Sequence, residues 1–119
     1  IEKPDEAIIL DMIGDAELHI PIERYSYQQN RQLVKKLWGL AKVLNLGAFE
    51  SRIVHTIYDD HVPLWAEAKI PAVDIIDFNY PNSYANYWHT TQDLPENCSA
   101  ESLGQVGTLL VHYIYGRQK

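Results

Sequence analysis

Short apolar runs that end on carboxylates, with helical periodicity between them, constrain the fold of this chain more than any other feature. Ala7-Ile8-Ile9-Leu10 has no polar alternation, which predicts a strand buried on both faces, as in a parallel sheet, and it ends at Asp11. Ile53 to Ile57 is the second strand candidate and runs into Asp59 and Asp60, while Pro71 opens the third, Ala72 to Ile76. Between the first two, Ser26 stands three residues before Gln29, the spacing of a capping box. Leu33, Leu37, Leu40 and Leu44 follow at helical intervals, predicting a helix of about 18 residues with a left-handed terminus at Asn45 and Gly47. Val62 to Ala68 is expected to form a short helix with Pro63 in its first turn, where a missing N–H costs nothing. From Phe78 to Cys98 there is no periodicity, and a loop of about 21 residues inside a domain is usually functional. Ser99 as N-cap and Glu101 in the first turn open a last helix with Leu103, Val106, Leu110 and Ile114 down one face, ended by Gly116. The order strand, helix, strand, helix, strand, loop, helix predicts an α/β layer fold with mostly parallel strands.

Composition narrows what such a fold can bind. Ten Lys and Arg against sixteen Asp and Glu leave a net charge of −6, and no basic run exceeds Lys35-Lys36. A nucleic-acid footprint and attraction to an anionic membrane surface therefore have no support. No apolar stretch reaches the roughly 18 to 20 residues of a spanning helix. Cys98, the single cysteine, cannot form an internal disulfide. The chain has no Gly-x-Ser-x-Gly elbow, phosphate loop or dinucleotide fingerprint, which argues against serine-hydrolase and nucleotide-binding chemistry. The only Met is Met12 and a strand candidate follows Ile1 within a few residues, so a piece of a longer polypeptide is expected.

In open α/β sheets, ligands bind beyond the carboxyl ends of the strands. Three polar groups fall there: Asp11, then Asp59-Asp60-His61, then Tyr87-Trp88-His89-Thr90. Each also has a structural reading. Asp11 suits the turn before Gly14, Asp59 and Asp60 suit the N-terminus of the short helix, and His89 suits a satisfied loop histidine. Two adjacent acids beside a histidine favour chemistry, because close carboxylates push their titrations apart and leave one protonated near neutral pH. The Tyr and Trp residues between 80 and 88 form either a packed loop or an aromatic pocket wall. His19, His55 and His112 are read as structural. Catalytic zinc normally takes three protein ligands, and no His-Glu-x-x-His, Cys pair or His pair at ligand spacing completes such a set here.

Leu10-Asp11-Met12-Ile13-Gly14, Asp59-Asp60-His61-Val62-Pro63-Leu64, Ile70-Pro71-Ala72 and Tyr87-Trp88-His89-Thr90-Thr91-Gln92-Asp93 resemble, in order and spacing, the signature blocks of metallopeptidase family 28. That family holds zinc aminopeptidases and the glutaminyl-peptide cyclotransferases, or glutaminyl cyclases. The resemblance implies a three-layer α/β/α sandwich around a twisted, mostly parallel sheet, with zinc at the carboxyl strand ends. It implies His89 as a zinc ligand and Asp11 as a site acid, which binds a second zinc in dinuclear aminopeptidases and is hydrogen-bonded in the cyclases. Aminopeptidases usually carry Ser where Asp59 stands and commonly lack an aromatic at Trp88; the cyclases have Asp and Trp. Asp11 and Asp59, sharing a proton, are thus the catalytic candidates, Trp88 and Tyr84 the walls of a pocket for a flat γ-amide, and Asp60 and His61 supporting residues. The segment Ile20 to Ser26 also looks like bacterial cyclases, whereas Asp15 departs from the Ala common there.

The family's His-x-Asp block and Glu-Glu pair, which supply the remaining zinc ligands and the general acid/base, have no match in this sequence. The resemblance therefore implies that residues 1–119 are the C-terminal portion of a catalytic domain whose N-terminal half is absent, inactive alone. The parent is expected to convert the N-terminal Gln of peptides to pyroglutamate with one zinc ion. The alternatives are a two-zinc aminopeptidase and a non-catalytic domain of the same fold. The expected partner is a peptide with a free N-terminus, not nucleic acid or membrane, and the expected location is secreted, periplasmic or membrane-associated.

Overall fold

The computed structural model describes residues 4–14, 18–77, 81–82, 85–86 and 99–116. Its strands are β1 (Ala7–Asp11), β2 (Ile20–Ile22), β3 (Phe49–Ile53), β4 (Ala72–Ile76), β5 (Pro81–Asn82) and β6 (Ala85–Asn86). Its helices are α1 (Arg24–Val43), α2 (His61–Ala66) and α3 (Ala100–Gly116). β1 pairs with β4 in parallel, Ala7 opposite Ala72 and Asp11 opposite Ile76. β2 pairs with β3 in parallel, with a register shift between Pro21 and Ile22, and β5 and β6 form a small antiparallel pair. The mixed α/β architecture with parallel strands is as the sequence predicts.

Several local expectations are corrected. β4 is buried throughout, but β1 is only half-buried, with Leu10 41% exposed. The second strand candidate lies four residues too late: the ladder is Phe49–Ile53, and the chain from Val54 to Tyr58 is not in a strand. β2, fully buried at Ile20, Pro21 and Ile22, went unread because three residues with a central proline carry almost no periodic signal. Phe78 to Cys98, expected to be one loop, contains the β5 and β6 pair; its other residues lie outside those described.

Helix α1 begins at Glu23, not Ser26: the Glu23 carboxylate accepts from the backbone N–H of Tyr25 and Ser26, so Ser26 lies within the first turn. The helix bends at Asn30 (φ −140°, ψ 55°), whose side-chain amide donates to the carbonyl of Ala72 at 2.9 Å. Its end is a Schellman motif with Asn45 left-handed at φ 57°, the Asn45 N–H bonding Lys42 and the Leu46 N–H bonding Ala41. Gly47 takes no positive φ, so Asn45 alone makes that terminus. The buried stripe is Leu33, Val34, Leu37, Trp38 and Ala41, turned away from Leu40 and Leu44, which are only half-buried. On α3, Ser99 caps through its Oγ to the Ser102 N–H at 3.3 Å, but the buried face is Ser102, Val106, Leu109 and Tyr113. Leu103 and Ile114 are about half exposed.

The core joins Ile20 and Ile22, the α1 stripe, Val73 and Ile75 of β4, and Val106, Leu109 and Tyr113 of α3. Leu37 is fully buried within it. Leu37→Ala is expected to cost about 3 kcal/mol, the transfer term plus the cavity left behind, read as a lower urea midpoint with an unchanged m-value.

Candidate functional site

Side chains alternate across a strand, so when Val73 and Ile75 enter the core, Asp74 between them turns to the opposite face of β4. There it meets α2 and the loop before it. His61, first residue of α2, is fully buried, with its Nδ1 3.8 Å from Asp74 Oδ2, beyond hydrogen-bond reach. Its Nε2 lies 2.6 Å from Glu23 Oε1, and Glu23 too is buried.

The two buried acids have opposite environments. Burial alone raises the Glu23 pKa, yet the His61 bond and the backbone N–H groups of Ile57, Tyr25 and Ser26 outweigh it and hold the group below the ordinary glutamate value. An ionised Glu23 only accepts, so the proton in the His61 bond sits on Nε2. For Asp74 no donor reaches either carboxylate oxygen among the described residues. Burial, then the charges of Asp59, Glu23 and Asp11, push its pKa up to about 8. The nearness of Asp59 adds to the rise, because only the protonated acid can donate to a second carboxylate.

The predicted site residues fall as follows. Asp11 ends β1, half-buried, and is followed by Met12 in the left-handed region at φ 52°. That is an uncommon conformation for a side chain other than Gly, Asn or Asp, and it turns the chain immediately after the acid. Asp59 is half-buried and its Oδ1 accepts the Asp60 N–H at 2.8 Å. The reading of Asp59 and Asp60 as side-chain caps of α2 is corrected: Asp60 stands at the cap position in helical geometry with no side-chain cap bond. Asp60 is exposed, and its carbonyl accepts from Leu64. Of the two residues expected to be supporting, His61 lies against Glu23 and Asp74, and Asp60 is exposed. Tyr84, Trp88 and His89 lie outside the described residues.

Asp74 and Glu23 were missed. The available signals were an acid inside an otherwise apolar strand, which is rarely fully buried unless paired, and an acid at the start of a helix. His19, read as structural, forms an exposed pair with Glu50 at 2.9 Å, alongside Arg52.

Among the described residues no three His, Cys, Asp or Glu side chains converge as a metal-binding set, and the one histidine in the cluster has its Nε2 committed to Glu23. These residues alone do not fit a zinc site. A depression of about 570 Å³ is lined by Asn30, Arg31, Lys36 and Trp65 among others, and by none of Asp11, Glu23, Asp59, His61 or Asp74.

The comparisons with known proteins bear on this arrangement. A model of peptidase family M28 matches residues 3–114. Porphyromonas gingivalis glutaminyl cyclase superposes with a TM-score of 0.89 at 28% identity, over 98% of this chain and 43% of its own. A Zn-dependent exopeptidase from Parabacteroides distasonis gives 0.85 at 31% identity, over 93% and 39% respectively. A leucine aminopeptidase precursor from Bacteroides thetaiotaomicron gives 0.84 at 32% identity, over 93% and 37%. The chain thus spans about two-fifths of the length of these solved relatives. No curated protein sequence matches it.

Proposed function

The chain belongs to peptidase family M28, and from that premise we propose that it is the C-terminal portion of a zinc-dependent glutaminyl-peptide cyclotransferase. In the reaction the α-amine nitrogen of an N-terminal glutamine attacks its own side-chain Cδ, and that N–Cδ bond forms as the Cδ–Nε2 bond breaks. A proton leaves the α-amine and departs with ammonia.

The reading is carried by Asp74, an acid buried on the α2 side of β4, whose pKa is pushed up to about 8 by burial and by the charges of Asp59, Glu23 and Asp11. Cyclisation needs an N-terminal amine to lose a proton and an amide nitrogen to gain one within one site. The cluster supplies negative field on the half-exposed side, at Asp59 and Asp11, and keeps a proton fixed on the buried side, at Asp74. That field raises the proton affinity of any carboxylate brought to the strand ends, here a glutamate expected from outside this chain. A glutaminyl cyclase and a leucine aminopeptidase precursor are both among the similar structures. Asp at position 59, where the aminopeptidases that this sequence resembles usually carry Ser, favours the former.

The parent protein is expected to release ammonia from a peptide with N-terminal Gln, to form pyroglutamate and to carry one zinc ion per chain. Mass spectrometry of the peptide, a coupled ammonia assay and metal analysis read these directly. Release of free N-terminal amino acids by a protein holding two zinc ions would sink the reading in favour of an aminopeptidase.

A further inference from the structure

Two of the donors to the Glu23 carboxylate come from opposite ends of the same loop. The Ile57 N–H donates to Oε2 at 2.9 Å, and His61 Nε2 donates to Oε1 at 2.6 Å. Asp59 stands midway between them in sequence. The other donors root the same carboxylate in the first turn of α1: the N–H groups of Tyr25 at 2.8 Å and Ser26 at 2.9 Å, and Ser26 Oγ at 3.0 Å. Ser26 Oγ in turn accepts the Asp74 N–H at 2.9 Å. One buried side chain therefore ties the loop that bears Asp59 to the strand that bears Asp74.

We propose that Glu23 and His61 are a positioning pair that fixes the loop bearing Asp59 relative to β4. Their kinetic consequence rests on the cyclotransferase reading; the clamp itself does not. Neither residue needs to touch substrate. A carboxylate on a loop fastened only at its own backbone would sample several orientations, and a site acid needs one of them. The acid–histidine bond sets the loop's exit, the Ile57 bond sets its entry, and both converge on a group that the folded core cannot move.

The test uses the parent protein. Glu23→Gln keeps the side-chain length but sets an amide NH₂ against one pair of donors. Local opening should then accelerate amide exchange of Ile57 and Asp60 by about tenfold or more while Val106 and Leu109 in α3 stay within about twofold. Unchanged protection at Ile57, or equal acceleration in α3, overturns the clamp, and this arm holds whatever reaction the parent catalyses.

The kinetic arm measures cyclisation of a peptide with N-terminal Gln. His61→Asn, too short to reach Glu23, should lower kcat about tenfold with KM within about threefold, and His61→Gln, which restores a donor near the Nε2 position, should recover most of it. In an Asp59→Asn background, His61→Asn should cost less than about twofold more, because its effect passes through Asp59. Multiplying effects in that double variant, or no recovery with Gln, would overturn the positioning role. Absence of cyclisation by the unsubstituted parent would instead refute the proposed function and leave the exchange result to decide the clamp.

Discussion

Asp74→Asn is expected to be more stable than the natural sequence at pH 8 and nearly equal to it at pH 4. The folded pKa of Asp74 is raised from 3.8 to about 8. Between those values the unfolded chain has released a proton that the native state keeps. Stability therefore falls as pH rises through that window, by up to about 1.4 kcal/mol per pH unit, and levels off once the native group also ionises. An asparagine has no proton to lose, and its NH₂ can donate to a carboxylate as the protonated acid can. The gain at pH 8 is expected to be at least about 2 kcal/mol, discounted from the full linkage value because the native site relaxes and admits water at high pH. Urea unfolding at the two pH values reads the difference. Equal destabilisation at both would show that Asp74 is ionised and stabilising in the native protein.

The opposite variant in the same cluster removes the ionised acid. Glu23→Ala leaves the N–H groups of Tyr25, Ser26 and Ile57, the Ser26 hydroxyl and His61 Nε2 without the acceptor they share. Each lost bond to a charged acceptor is worth roughly 1 to 3 kcal/mol, and the losses are not additive because the loop can relax toward water. A net loss of about 4 kcal/mol or more is expected, a large part of the stability of a domain this size. The folded pKa of Glu23 lies below the ordinary value of 4.5. Its contribution is thus present above that value and lost as pH falls through the lowered one. With Asp74 eroding stability on the alkaline side, the natural sequence should be most stable slightly above the ordinary carboxylate range. In Glu23→Gln the Asp74 transition should move to lower pH, since the Glu23 charge is one of the forces raising it. A carbon-13 titration of the Asp74 carboxyl measures this, and an unmoved midpoint would mean that the two groups are not coupled.

How much of this was legible in the sequence depended on which signal each residue could carry. The α/β class was legible because apolar runs and helical spacings are local. The termini at Asn45 and Ser99 were legible because capping chemistry is local too. Asp11 stood out because it ends a strand, whereas Asp59 follows β3 by six residues and stands just before α2. Illegible were β2, too short for a period, and the true helix start, because Glu23 caps α1 with a side chain that also serves distant partners. The face of α3 was misjudged by one residue at three of its four positions, about 100° around the axis, since Leu103 and Ile114 look as apolar as Leu109 and Tyr113.

The sequence by itself determined the α/β class, the family blocks and the acid that ends β1, because each depends on residues near one another along the chain. Only the tertiary structure decided which acid holds a proton. Asp74 reads in sequence as an ordinary residue of a strand. Its pKa is set by burial and by three carboxylates brought up from other segments. Glu23 reads as a helix-start acid, and its ionised state is set by donors from α1, from the loop at Ile57 and from α2. Proton affinity follows local dielectric and the distance to other charges, and both are properties of packing that no stretch of chain contains alone.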